Sequence, residues 1–145
     1  PLYSSAASDV YKRQDLASLS GRPAARTRRV VAWSGGSSIP GKNTLPNAII
    51  EAAGAVNIAA APGANTATFG VEQLLAANPE ALLFAVPKGD KPLIVSQAGN
   101  HRVVRRMFGD RRVAYNEIAF SCGLPQSATA ALDLRRALDR LPVRR

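Results

Sequence analysis

Apolar positions along the chain come in short runs divided by small or polar residues, and the spacing inside the runs alternates between strand-like and helix-like. Val30 to Trp33 is an apolar run of strand length, followed by the small-residue loop Ser34-Gly35-Gly36-Ser37-Ser38. Thr44-Leu45-Pro46 marks a helix start, with a hydroxyl residue near the cap and a proline in the first turn. Ile49, Ile50, Ala52 and Ala53 supply its apolar face, and Gly54 is placed to end it in the left-handed region. Val56 to Ala60 predicts a second short strand, with a turn through Pro62-Gly63-Ala64-Asn65 behind it. Val71, Leu74 and Leu75 stand at i, i+3 and i+4, which predicts a helix over 71–77 stopped by Asn78-Pro79.

Ala81 to Val86 is continuously apolar, the pattern of a strand buried on both faces. Residues 92–108 read as two short helical pieces broken near Gly99-Asn100. Arg112 to Tyr115 predicts a fourth strand, and Ser127 to Leu141 is the clearest helix. There Ala131, Leu134, Leu138 and Leu141 share one face, while Asp133, Arg135, Arg136 and Asp139 lie largely away from it. Strands alternating with helices through short connections predict an α/β fold. The expected architecture is a three-layer sandwich, with a mostly parallel sheet of about four strands flanked by helices. No internal repeat is present.

The first residues break this pattern. Residues 1–14 have no apolar face at either period, and they lack the basic start, apolar centre and small-residue cleavage site of a secretory signal. Asp9-Val10-Tyr11-Lys12-Arg13-Gln14 is encoded by GAT GTG TAT AAG AGA CAG, which looks like a translated transposon-end adaptor from library preparation. Residues 1–14 are therefore expected to be non-native, the other reading being a natural disordered N-terminus. Residues 15–27, polar and basic and interrupted by Gly21 and Pro23, read as the end of a connecting segment.

Composition then narrows the chemistry. The 145 residues carry 19 Lys+Arg against 10 Asp+Glu, a net +9, so attraction to anions has to be considered. One Cys excludes an internal disulfide framework and a multi-cysteine zinc site. One His excludes a His-pair metal centre, and a Ser-His-Asp triad would have to use His101. No apolar run reaches the roughly 18–20 residues that span a bilayer.

Four features invite a function. Gly36 to Lys42 has the glycine-four-glycine-lysine spacing of a phosphate-binding loop. Pro40 lacks an N–H where donors should converge, Asn43 stands where a magnesium-binding hydroxyl belongs, and Ala81–Val86 ends in Pro87-Lys88 instead of a metal-holding Asp. A strand-end loop lining a cleft is the simpler reading. His101, beside Arg102, Arg105 and Arg106, reads as a solvated surface residue. Cys122 reads either as a nucleophile at a helix start or as a small thiol facing a core or cleft. The arginines group at 22–29, 102–112 and 135–145, while Trp33, Phe69, Phe84, Phe108, Tyr115 and Phe120 mostly occupy strand ends and helix junctions, which favours a solvated basic surface over a nucleic-acid stripe.

Three longer runs carry a resemblance: GKNTLPNAIIEAAGAVNIAA, FGVEQLLAANPEALLFA and RRVAYNEIAFSCGLPQSATAALDLRRAL. In order and spacing, over roughly residues 28–141, they resemble the C-terminal lobe of periplasmic substrate-binding proteins. The branch they look most like serves ABC importers of ferric siderophores, haem and vitamin B12. The resemblance implies a binding protein and not an enzyme, with 15–27 as the end of an inter-lobe connecting helix, 28–145 as the C-terminal lobe, and an N-terminal lobe missing. It implies an organic metal chelate held at strand-end loops: Trp33, Ser34, Gly35 and Gly36 on the first, Asn65, Thr66 and Thr68 on the second, Phe120, Cys122 and Gly123 on the third. Trp33 and Phe120 would offer apolar contact. Glu72 matches the family position that docks into permease arginines. No cofactor, resident metal or nucleic acid is implied, since the metal travels inside the chelate. The location implied is periplasmic, or lipid-anchored outside the cytoplasmic membrane. A phosphate-handling enzyme using Gly36–Lys42 and a basic nucleic-acid module stand as the other two readings.

Overall fold

The computed structural model describes residues 10, 13–20, 24–33, 39–61, 66–67, 70–86, 101–123 and 125–142. The strands are β1 (Arg29–Ala32), β2 (Ile39–Pro40), β3 (Val56–Asn57), β4 (Thr66–Ala67), β5 (Ala81–Val86) and β6 (Arg112–Asn116). The helices are α1 (13–20), α2 (Leu45–Ala52), α3 (Val71–Ala77), α4 (Arg102–Phe108), α5 (Glu117–Ser121) and α6 (Gln126–Arg140). The main sheet runs β3-β1-β5-β6 with every pairing parallel, and β2 pairs antiparallel with β4 in a separate ribbon.

Alternation along the two central strands sorts the core into two layers. Val30, Ala32, Ala81 and Leu83 point to one face, against Ile49 and Ile50 of α2, Leu134 and Leu138 of α6, and Phe120 of α5. Val31, Trp33 and Leu82 point to the other, against Leu74 of α3 and Val104 and Phe108 of α4. A strand buried on both sides has no polar face, so the unbroken apolar run at 81–86 follows from its central place. Helices on both faces make this an α/β three-layer sandwich, as expected from the alternation of elements.

The caps follow local chemistry. The Thr44 hydroxyl accepts from the Asn47 N–H at 3.3 Å and donates to the Gly41 carbonyl at 2.7 Å, with Pro46 in the first turn of α2. Gly54, just past the end, has φ +81°, and a Cβ built there would sit 2.6 Å from the Ala24 Cβ. Both the backbone conformation and the space exclude a side chain. Asn78, also left-handed at φ 41°, ends α3 and donates its N–H to the Leu74 carbonyl.

In helix α1, which includes Arg13 and Gln14, the Ser18 hydroxyl donates to the Gln14 carbonyl. Three expectations need correction. The strand expected over 56–60 is only two residues long, because Asn57 turns the chain by accepting from the Ala59 N–H. The β2–β4 ribbon and α5 have no counterpart in the hydrophobic pattern. The arginines are not simply a solvated surface. Arg28, 5% exposed, donates to the Leu141 and Pro142 carbonyls beyond α6. Arg29 reaches Ala77 at the end of α3, and Arg111 reaches Met107 in α4 and Pro79. Arg135 holds Ala52 and Ala53 at the end of α2, and Leu19 in α1. The last carbonyls of a helix have no partner within it and carry the negative end of its dipole. A guanidinium answers both needs.

Candidate functional site

Because β3, β1, β5 and β6 are parallel, the segments leaving their C-terminal ends all emerge at one edge of the sheet. Among the described residues these are Trp33 after β1, 58–61 after β3, and α5 with Cys122 and Gly123 after β6. The strand order reverses between β1 and β5, since the chain goes from β1 outward to β3 and returns on the far side of β1. In open α/β sheets such a switch point, at the carboxyl edge, is where ligands are held. Of the three loops singled out from sequence, the one at 120–123 follows β6 through α5 at this edge, while 34–38, 65 and 68 lie outside the described residues.

Placement of the individual residues is more discriminating. Ser34, Gly35, Gly36, Asn65 and Thr68 lie outside the described residues. Thr66 belongs to β4, its backbone in register with Pro40. Trp33 and Phe120 are each 2% exposed. Their expected role as apolar contact surface for a ligand is corrected: Trp33 fills the layer between the sheet and α3–α4, and Phe120 stacks on Tyr115 with ring centroids 4.2 Å apart. Cys122 and Gly123 are exposed at the edge, and nothing lies within 4 Å of a Cβ built on Gly123. Cys122 ends α5, its N–H donating to the Ile118 carbonyl, and α6 begins only at Gln126. It does not occupy the helix start at which a thiolate would be favoured.

The Gly36–Lys42 loop does not have phosphate-binding geometry where it is described. Ile39 and Pro40 form a strand, the Pro40 carbonyl accepts from Asn57 Nδ2 at 3.0 Å, and Lys42 is exposed two residues before the helix cap Thr44. Donors cannot converge on an anion where the backbone is committed to a ribbon. His101 is exposed and leads into α4 without a side-chain cap bond.

Sequence reasoning missed the group that holds the rim of this edge. Asn57 and Asn47 are buried polar residues in van der Waals and hydrogen-bond contact, 5% and 4% exposed. Asn57 Nδ2 donates to Asn47 Oδ1 at 3.1 Å and to the Pro40 carbonyl, and its Oδ1 accepts from Ala59. Asn47 Nδ2 donates in turn to Glu51 at 2.9 Å. One amide therefore ties β2, α2 and the turn after β3 together at the base of the loops. The signal available in the sequence was two asparagines flanked by apolar residues, at positions where water would otherwise have to follow them inside.

In the layer of α2 and α6, an apolar groove of about 310 Å³ runs between α1, α2 and α6 and is bordered by Gly123. Leu16 and Leu19 form one wall, Leu45 and Ile49 another. Tyr115 borders the core layer there, and burial first, then the negative charge of Glu117, raises its pKa above the ordinary phenol value. Among the described residues no group of three His, Cys, Asp or Glu could hold a metal ion, and no helix is long and apolar enough to cross a membrane.

Solved structures with this arrangement are numerous. A periplasmic binding protein from Veillonella parvula matches 94% of this chain at a TM-score of 0.70 and 14% identity, and the match covers 50% of that chain. Its fold is that of a periplasmic binding protein. An ABC-type Fe3+-hydroxamate transport system structure from Saccharomonospora viridis matches 92% of the chain at 0.71 and 19% identity, over 48% of its own length. The periplasmic vitamin B12 binding protein BtuF of Vibrio cholerae matches 90% at 0.67 and 17% identity, over 52% of its own length. Others are named as haem-binding, and one as a molybdate-binding protein. No protein-family model and no curated protein matches the sequence.

The chain spans about half the length of these solved structures. Within this periplasmic-binding-protein fold, Glu72 is exposed in the first turn of α3 and is the one acid there, beside the uncapped Gly70. Since α3 follows β3 and its connection, that turn stands toward the same sheet edge as the loops. Glu72, Cys122 and Gly123 are thus exposed, whereas Trp33 and Phe120 are buried.

Proposed function

We propose that the chain is the C-terminal lobe of the substrate-binding component of an ABC importer, and that it delivers its cargo unchanged to a membrane permease outside the cytoplasm. The observation that carries this reading is the parallel sheet with a switch point at its carboxyl edge, in a fold shared with binding proteins over half their length. The cargo we assign is an organic metal chelate, a ferric siderophore, haem or a corrinoid, with any metal carried inside it and none resident in the lobe. Loops 34–38, 65–68 and 120–123 form one wall of the cleft, and the other wall belongs to a second lobe. Ser34, Asn65, Thr66 and Thr68 bring hydrogen-bonding groups, and Gly35, Gly36 and Gly123 allow close approach. Glu72 docks onto basic residues of the permease. In this role the protein binds and releases, and does no covalent chemistry.

The test is calorimetric titration of the intact gene product with a ferric hydroxamate, haemin and cyanocobalamin. Saturable binding of one of them is expected. Failure to bind any chelate, or an uninterrupted reading frame that encodes no second α/β lobe, would overturn the assignment. Nucleotide-dependent thermal stabilisation abolished by Lys42→Ala would put a phosphate-handling enzyme in its place.

A further inference from the structure

The outer face of α4 is a cluster of cations with no ion-pair partner among the described residues, and we propose that it is a contact surface for an anionic lipid bilayer. Arg102, Arg105 and Arg106 stand at i, i+3 and i+4, so their side chains leave the helix within about one quadrant of its circumference. All three are exposed, while Val104 and Phe108 on the opposite side are fully buried and fix the rotation of the helix. None makes an ion pair with a described carboxylate; the nearest acid in sequence, Asp110, lies 3.9 Å from Arg111. His101 is exposed at the head of the same helix.

This distinguishes α4 from most of the other described arginines. Arg28, Arg29, Arg111 and Arg135 are committed to carbonyls, and Arg136 faces Asp133 at 3.3 Å. Among the described residues, charge without a partner is what α4 has and those sites lack. Val103, 41% exposed, adds an apolar residue beside the arginines. Cations flanked by a small apolar contact fit the headgroup layer of a membrane better than a nucleic acid, which calls for exposed aromatics to stack on bases. Phe108, the aromatic of this helix, is buried.

The inference stands apart from the transport assignment, because it uses only charge and exposure. If both hold, they reinforce each other. Helices α3 and α4 lie on the same face of the sheet and both follow connections from its carboxyl edge. A lobe that engages a permease through Glu72 would therefore bring α4 toward the bilayer around it.

The experiment is co-sedimentation of the full chain with phosphatidylcholine vesicles made with and without phosphatidylglycerol. Binding is expected only to the anionic vesicles, and it should weaken steeply with added salt. At about fivefold in affinity per arginine near a charged surface, the combined change Arg102→Gln, Arg105→Gln and Arg106→Gln should weaken binding about a hundredfold. The corresponding Arg→Lys changes should retain it. The same charge removed elsewhere, by Arg13→Gln, Arg136→Gln and Arg140→Gln, should have a much smaller effect. Circular dichroism on every variant separates loss of binding from loss of fold. Equal binding to neutral vesicles, equal loss in both triple variants, or no vesicle binding alongside duplex DNA binding that depends on α4, would each overturn the proposal.

Discussion

Arg135 Nη2 donates to the carbonyl of Ala52 at 2.7 Å, across 83 residues of sequence. The same guanidinium reaches Ala53 through Nε at 3.2 Å and Leu19 through Nη1 at 2.8 Å. One side chain on α6 thus closes the C-terminal end of α2 and fastens α1 to the lobe. Hydrogen bonds from a charged donor are stronger than neutral ones, and removing the donor strands part-buried carbonyls. Arg135→Ala should lower unfolding free energy by about 2–4 kcal/mol. Arg135→Lys should recover less than half of that, because an ammonium cannot span the three acceptors. Urea unfolding measures both, and a loss below about 0.5 kcal/mol, the usual size of a surface substitution, would refute the capping role.

The Asn57 amide should be as costly to lose and more informative. Asn57→Ala leaves Asn47 Oδ1 without its Asn57 donor and the Pro40 carbonyl without its cross-link, an expected cost of about 2–3 kcal/mol. Asn57→Asp keeps the shape but sets a carboxylate against those two acceptors. That group would be driven toward its neutral form, with a folded pKa above the unfolded one. Its folded state is then favoured at acid pH, and stability falls as pH rises through the folded value. Thermal melts from pH 4 to 8 should show the aspartate variant losing stability toward neutrality while the alanine variant does not. Parallel profiles for the two would mean that the site is open to water.

Much of this fold was legible and the illegible parts share a cause. Helix 71–77, strand 81–86, the Thr44 cap and the Gly54 turn all depend on residues within four positions of one another, and periodicity or cap chemistry reports them directly. The β2–β4 ribbon has two residues per strand, too few to establish any period. The resemblance places Trp33 and Phe120 at the ligand surface, and an aromatic at a strand end reads alike whether it faces a core or a cleft. The helix layers decide: α3 and α4 cover Trp33, whereas α2 and α6 cover Phe120. Arg28 and Arg135 looked like solvated charge because the carbonyls they serve lie 82 to 116 residues away. Of the site, the shared edge follows from topology, whereas the asparagine network depends on contacts among β2, α2 and β3 that no local pattern encodes.

Gly54 offers a test of backbone geometry. Its φ of +81° and the 2.6 Å approach of Ala24 to a built Cβ act in the same direction. Gly54→Ala should destabilise the chain by about 1–3 kcal/mol, the range of strained left-handed residues. Adding Ala24→Gly removes the clash but leaves the strain, so the double variant should regain part of the loss. Full recovery in the double variant would show that space alone matters there.

The alkaline limb of stability should carry the signature of Tyr115. Burial and then Glu117 raise its pKa, so the folded state favours the neutral phenol. A raised folded value means that this contribution is whole below the unfolded value of about 10 and is lost as pH rises through the folded value. Wild-type melting temperature should therefore drop more steeply than that of Tyr115→Phe above about pH 10. Glu117→Gln should move the phenol back down, followed by the change in its ultraviolet absorbance on ionisation. Superimposable alkaline profiles for wild type and Tyr115→Phe would show that the phenol ionises without regard to folding.

Glu72 separates a structural role from a docking one. In the first turn of α3, with Gly70 giving no side-chain cap, its charge opposes the helix dipole and supplies about 0.3–1 kcal/mol. Glu72→Gln should therefore melt within a few degrees of wild type. Under the proposed function, the same change in the intact importer should greatly reduce uptake while leaving chelate affinity in solution untouched, because the residue is exposed and lies outside the three cleft loops. Glu72→Asp, which keeps the charge on a shorter arm, should fall between the two. Uptake unchanged by Glu72→Gln would remove Glu72 from the docking surface, and a parallel loss of chelate affinity would place it in the cleft instead.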